Sequence, residues 1–442
     1  MNSVVLSKSK KIKKTFSILH IEYCFCIFSF LMVDPLRGIY GGLGVQRYTI
    51  FFSLISCILV IIRIFKERYF NQFTKLILAL GIVTTAGYIT RASENFGKVQ
   101  ELLIYTYSYH LVYFFLTLVF LYYPPLILRE KNRYVNDDVK IFFTIVSLLI
   151  PVFYIFFGSS LNAEGIILTR NQEEANLLYN DYLSVSDTLL FASLLGLSTG
   201  KNLISLIIYS FNIFFLFLIG SRLPPLIAIV AGTLCLSVII SNYYSVLKRT
   251  LSVSSSKFKL NILIIAFSAS SFILSIVFFD RFYQLLNFDN ILSSRVYRLI
   301  FDPDRFSVEL NEGRGFIFKC FLNNHLSSFE KTMLGGPSDL GCSNVNYLHS
   351  TLSILVDYGI ISFSLYLLIV YVAVRYLLLN IKIKSLRFEL TFYLIFSLSL
   401  LFLGLSSRYG VSLWLPALAF CYSSAKIAVW KLAANVRQEK IH

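Results

Sequence analysis

The chain has 442 residues, 56% of them hydrophobic, 16% aromatic and only 14% charged, with a formal net charge of +16. A soluble domain carries about 25% charged residues, so this composition excludes an ordinary soluble fold and leaves long uncharged runs of the length that crosses a bilayer as helices. The alternating pattern of a membrane-spanning barrel is absent. The fold class is therefore an all-α polytopic membrane protein, and the excess of Lys and Arg reads as charge sorted to one side of a membrane, not as a nucleic-acid surface.

The first apolar run follows a basic tail, Lys8, Lys10, Lys11, Lys13 and Lys14. It covers 15–33 without an Ala-x-Ala-type cleavage site and reads as an uncleaved first span. His20 and Glu22 lie inside it as an intramembrane ionisable pair, near the cytoplasmic end, and read as a buried structural pair. Further spans are expected at 48–65, 76–90, 102–123, 141–158, 185–199, 202–220, 223–247, 260–279, 360–379, 389–405 and 411–430, about 12 in all. The sixth is the weakest, being short and interrupted by Asp187.

Even parity places both termini on one side. With that side cytoplasmic, 26 of the 40 Lys and Arg residues fall on inner segments, and half of the remainder sit in one long outer loop, where the positive-inside rule has little force. The organisation is then spans one to nine over 1–279, with a moderate periplasmic loop at 159–184. A long periplasmic loop follows over 280–359, and the last three spans and a cytoplasmic tail occupy 360–442. The long loop is rich in apolar and aromatic residues (Phe301, Phe306, Phe316, Phe318, Phe321, Leu334), so it is expected to be structured. A long structured loop points to function on the outer face.

Cys24, Cys26, Cys57, Cys235 and Cys421 lie in apolar runs and read as inert small hydrophobes. Cys320 and Cys342 share the long loop in an oxidising compartment, and whether their Cβ atoms meet to form a disulfide is left open by the sequence. No Cys-x-x-Cys and no Gly-rich nucleotide loop occurs.

Three stretches carry motifs. The first is Gly220-Ser221-Arg222 followed by Leu223-Pro224-Pro225 at the outer mouth of the eighth span. Ser221 reads there as an N-cap and the prolines as the first helical turn. The second is Gly313-Arg314-Gly315, then Phe316 to Phe321, then Leu334-Gly335-Gly336. The third runs from Tyr347-Leu348-His349-Ser350-Thr351-Leu352 to Asp357-Tyr358-Gly359-Ile360. Were 346–357 a helix, His349, Ser353 and Asp357 would share one polar face, and Gly359 would end it.

In order, spacing and side of the membrane, these stretches resemble the O-antigen ligase/polymerase family, of Wzy and WaaL types. The match covers about 185–379 and has departures. Ser350 stands where the family usually has Asn, Asp357 where it has Glu, and Gly335-Gly336 is an imperfect Gly-x-Gly. The resemblance implies a GT-C-like membrane glycosyltransferase that joins repeat units carried on undecaprenyl diphosphate, with no cofactor and no metal. Its implied partners are an undecaprenyl-diphosphate-linked oligosaccharide, membrane lipids and a chain-length regulator.

A departing diphosphate requires cations to hold its charge, and the planar fork of arginine binds phosphate oxygens in pairs. Arg222, at a helix N-terminus, and Arg314, between two glycines, are the expected diphosphate ligands and catalytic cations. Arg170, just ahead of Glu173-Glu174, is expected to bind substrate, with a local salt bridge as its competitor. His349 is expected to take the proton of the acceptor hydroxyl or to orient it, with Ser353 beside it in substrate binding. Arg295 and Arg298 read as a headgroup-facing stripe. Asp302-Pro303-Asp304 resembles the Asp-x-Asp of nucleotide-sugar transferases, but it lies on the side where nucleotide sugars are absent. Asp34, before Pro35, reads as a turn residue. Two rival functions stand beside the polymerase: a ligase that moves the glycan to lipid A core, and a flippase or transporter. The transporter would need ionisable or broken-helix residues at mid-membrane.

Overall fold

The computed structural model describes residues 17–33, 43–67, 71–94, 100–131, 135–157, 160–162, 165–167, 182–218, 223–250, 319, 321–335, 352–406 and 413–439. These residues are almost wholly helical. Among the described residues, four helical stretches are long and apolar enough to cross a membrane: Leu111–Arg129, Leu223–Asn242, Tyr358–Asn380 and Arg387–Gly404.

The helices in chain order are α1 (Ile18–Leu31), α2 (Leu43–Glu67), α3 (Gln72–Glu94), α4 (Gln100–Lys131) and α5 (Val135–Phe157). After them come α6 (Tyr182–Gly200), α7 (Leu203–Leu218) and α8 (Leu223–Thr250). The short loop helix α9 (Phe329–Leu334) precedes the long helices α10 (Ser353–Asn380), α11 (Arg387–Ser406) and α12 (Trp414–Glu439). Eleven of the apolar runs expected to span thus coincide with helices among the described residues, and 260–279 lies outside them. One departure from an all-helical chain is a small antiparallel hairpin, β1 (Ser160–Asn162) on β2 (Gly165–Ile167), within the 159–184 loop.

Local chemistry sets the helix ends. Asn71 accepts a hydrogen bond from the Thr74 amide (2.7 Å) and opens α3, and Asn202 accepts one from the Ser205 amide (2.8 Å) and opens α7. The α6–α7 turn needs one left-handed residue, and Lys201 supplies it with φ 51°. Prolines stay inside α4 (Pro124, Pro125) and α5 (Pro151), as helices packed in a membrane tolerate.

The short span interrupted by Asp187 is thoroughly enclosed. In α6 every residue from Ser186 to Thr199 is buried, including Asp187 and five Ser or Thr residues. The helix packs against α5, α7, α8 and α11, so protein surrounds its polar side chains. Close approach depends on small residues. A side chain at Gly196 would come within 3.1 Å of the Ser147 hydroxyl of α5, and one at Gly232 of α8 within 2.9 Å of the Tyr209 ring of α7. Asn212 of α7 donates to the Ser147 carbonyl (3.0 Å), a buried polar tie between helices.

Candidate functional site

The helix ends sort into two sets. The α7–α8 hairpin is antiparallel, held by the Tyr209 hydroxyl donating to the Ala228 carbonyl (2.9 Å), so Leu203 and Leu223 lie at opposite ends of the bundle. Lys201 Nζ donates to Glu389 Oε1 (2.7 Å), and the Tyr393 hydroxyl donates to the same oxygen (2.8 Å). The first turn of α11 therefore sits beside the α6–α7 turn. Only residues 381–386 join α10 to α11, so α10 ends near this point and begins at the opposite end, the one at which α8 begins. The two ends are named here for Lys201 and Gly359.

At the Gly359 end the long loop is docked. Phe321 opens a π-helical turn, Phe321–His325, closed by the Leu326 amide donating to the Phe321 carbonyl (3.1 Å). The Phe321 ring is buried against Leu355 and Val356 of α10, with Leu352, Ile360 and Phe363 around them. α9 follows and also packs on α10. Gly335, at φ 81°, stands just past α9 in the left-handed conformation that ends a helix. This segment is the one that runs from Gly313-Arg314-Gly315 to Gly335-Gly336, and α10 begins within the stretch that contains His349. The structure brings these two motif segments together at Phe321 and α10.

α10 is broken at Gly359, whose φ of 75° and ψ of −179° are outside any helix. The Phe321 dock involves the short helix before the break and the first turn after it. The far part of α3 approaches here as well, with Gly87 beside Tyr358. Deeper in, Tyr366 meets Trp414 of α12 edge-on, with ring centroids 4.2 Å apart. At this dock the described side chains are apolar and aromatic. They position backbone.

The expected site residues stand as follows. Arg170, Arg222, Arg314 and His349 lie outside the described residues, as do Cys320, Cys342, Arg295, Arg298, Asp302, Asp304 and Asp34. Ser353 is the first residue of α10, and Asp357 lies in the same short helix. The described helix begins at Ser353, so the part of the expected 346–357 helix before Leu352 is outside the description. α8 begins at Leu223 with Pro224 and Pro225 buried in its first turn, immediately after Arg222. Gly359 does interrupt the helix as its motif position suggests, but α10 resumes and runs on to Asn380.

Two ionic groups escaped the sequence reading. Arg63 of α2 forms a two-pronged pair with Glu22, Nη2 to Oε1 at 2.6 Å and Nε to Oε2 at 2.9 Å. The Tyr123 hydroxyl adds a contact to Oε2 at 3.3 Å. Glu22 is thus answered by Arg63 and not by His20, whose Nδ1 shares a 2.8 Å hydrogen bond with the Ser17 hydroxyl. The other group is Lys201 with Glu389 and Tyr393. The only available signal was that each partner stands near the same end of an apolar run. Cys24, Cys26, Cys57, Cys235 and Cys421 are free thiols, as expected of small apolar residues.

No protein-family model matches the sequence, and no curated protein matches it. The functional reading therefore rests on residues and geometry.

Proposed function

We propose that this chain is an inner-membrane polysaccharide polymerase. It transfers a growing glycan from undecaprenyl diphosphate to the sugar of another lipid-linked repeat unit, on the periplasmic face. The observation that carries this reading is the dock of Phe321 on Leu355 and Val356. It holds the loop that follows Arg314 against the helix that follows His349, at the end of the bundle where α8 follows Arg222. Chain connectivity alone keeps His349 within about 10 Å of Leu352 and Arg314 within about 25 Å of Phe321.

In this reading the protein is a GT-C-like bundle of about 12 spans with both termini cytoplasmic. The Lys201 end is the cytoplasmic one. The passage from Thr250, at that end, to Phe321, at the other, requires an odd number of crossings, and the apolar run 260–279 supplies one. Arg222 and Arg314, with Arg170 on the shorter loop, hold the diphosphate oxygens as charge builds on the leaving group. His349 takes the proton of the acceptor hydroxyl as that oxygen attacks the anomeric carbon and the bond to the diphosphate breaks. Ser353 orients the acceptor. The energy is that of the lipid diphosphate linkage, so no cofactor is required.

The test is purified protein with a synthetic undecaprenyl-diphosphate repeat unit, read as a glycan ladder. Wild type should build the ladder, with or without EDTA. Arg222→Lys should lose most activity, because lysine keeps the charge but not the paired donors. His349→Ala should lower turnover more than donor affinity. Products that form only when lipid A core is added would make the protein a ligase instead. A full ladder from both variants would remove these residues from the site.

A further inference from the structure

α10 and α11 leave an open groove of about 680 Å³ along their outward faces, within the roughly 300–1,000 Å³ of small-ligand sites. Its walls are Leu367, Val370, Val374 and Leu378 of α10, with Leu398 and Leu401 of α11. From Leu367 to Leu378 the groove extends about 16 Å along the helix, close to the roughly 15 Å of hydrocarbon in one leaflet. It runs toward the Lys201 end of the bundle, where the α10–α11 linker exposes Lys382 and Lys384, and Arg387 stands exposed at the start of α11.

One cation lies within the groove itself. Arg375 is exposed, and its Nη1 donates to the Tyr371 hydroxyl at 2.7 Å, one turn back along α10. The guanidinium carbon lies 5.5 Å from the Tyr371 ring centre. This bond directs the side chain away from the nearer helix end, toward the middle of the hydrocarbon, the opposite of a snorkelling arginine. A cation at such a depth is costly unless an anion meets it. The guanidinium has five N–H donors, and the Tyr371 hydroxyl takes one of them.

We propose that this groove holds one anionic phospholipid from the leaflet at the Lys201 end, its phosphate drawn down to Arg375 and an acyl chain lying between α10 and α11. Lys382, Lys384 and Arg387 complement the rest of the headgroup. The walls favour a lipid over another protein helix. Their residues are large and branched, whereas helix–helix contacts in membranes are built on small residues that let backbones approach. This inference depends on the membrane-spanning architecture and not on glycan transfer, so either can fail without the other.

The test uses full-length protein in mild detergent, incubated with phosphatidylglycerol or phosphatidylethanolamine and weighed intact by native mass spectrometry. Wild type should retain one phosphatidylglycerol and bind phosphatidylethanolamine far more weakly. Arg375→Gln should lower phosphatidylglycerol retention roughly tenfold, the factor that one charge-assisted pair carries. Leu398→Trp, which fills the groove and keeps Arg375, should lower it as well, and it decides the matter if Arg375→Gln does not fold. Equal retention of the two lipids, or wild-type retention in both variants, would overturn the proposal. So would preferential retention of undecaprenyl phosphate over phosphatidylglycerol, or a dimer that forms in wild type and is lost in Leu398→Trp.

Discussion

Gly359→Ala tests whether the break in α10 builds the Gly359 end of the bundle. The backbone there, φ 75° and ψ −179°, is in a region open essentially to glycine alone, and a side chain in it costs about 1–3 kcal/mol. The variant has two ways out. It can keep the break and bear that strain, or it can adopt helical angles and run α10 straight through. Straightening swings the short helix away from the loop and exposes Phe321, which is 2% accessible in its dock on Leu355 and Val356. Exposing such a ring costs about 1.5–3 kcal/mol. The costs are comparable, so loss of stability alone cannot tell the routes apart. Thiol labelling at Leu355→Cys, a position buried under the Phe321 ring, does. With Gly359 in place that thiol should be protected. If Gly359→Ala straightens the helix, labelling should rise as the glycan ladder falls; if it keeps the break, only thermal stability should fall. Unchanged melting, labelling and ladder would mean that the break is incidental and that α10 does not need glycine there.

The other predictions address the opposite end and the topology. Glu22→Gln leaves Arg63 without its carboxylate where both side chains are less than one-fifth exposed; it should cost about 2–3 kcal/mol, somewhat under the ~3–5 of a fully enclosed pair, and Glu22→Gln with Arg63→Met should recover part of the loss in thermal melts. Lys201→Gly removes left-handed strain of about 1 kcal/mol but also the pair with Glu389, whose two side chains are 15% and 21% exposed. The net change should be a loss of about 1–2 kcal/mol; a stabilised variant would show that backbone strain outweighs the pair. Single cysteines at Phe96, Asn176 and Val308 should react with an impermeant thiol reagent from outside intact cells, and those at Val135, Ser254 and Lys384 should not. Labelling of Ser254→Cys from outside would invert the proposed orientation.

Much of the helical layout was legible because the physical rule behind it is local. A run of apolar residues long enough to cross hydrocarbon becomes a helix whatever its neighbours are. Pro224-Pro225 at a helix start and an interruption at Gly359 were legible for the same reason, each being a backbone preference carried by local residues, although the helix resumes after Gly359. Pairings between distant residues were not. Glu22 and Arg63 are 41 residues apart, and Lys201 and Glu389 are 188 apart. Each of these residues, read alone, is an ordinary charge near the end of a span. The three-residue strands of the 160–167 hairpin were also missed, since so few residues carry no periodic signal.

The short length and polar content of α6 show how a local rule can mislead about rank. Asp187, Ser186, Thr188, Ser193, Ser198 and Thr199 lower the helix's apolar score, and all are buried. A lipid-facing helix must be apolar around its outward surface, whereas one enclosed by protein can carry polar groups that its neighbours satisfy. The polar residues of this span therefore sit inside the bundle, among α5, α7, α8 and α11. Its turn into α7 is fixed at Lys201 by Glu389 and Tyr393 of α11, and a separate clamp of Arg63 on Glu22 ties α2 to α1. At the Gly359 end the described contacts are of another kind. Phe321 is buried against Leu355 and Val356, and the glycine break falls beside it. Apolar contacts are non-directional, so a docked loop can shift across them at less cost than a two-pronged ion pair can be stretched. Under the proposed polymerase reading, that asymmetry would let the loop yield at one end while firm ties hold the other.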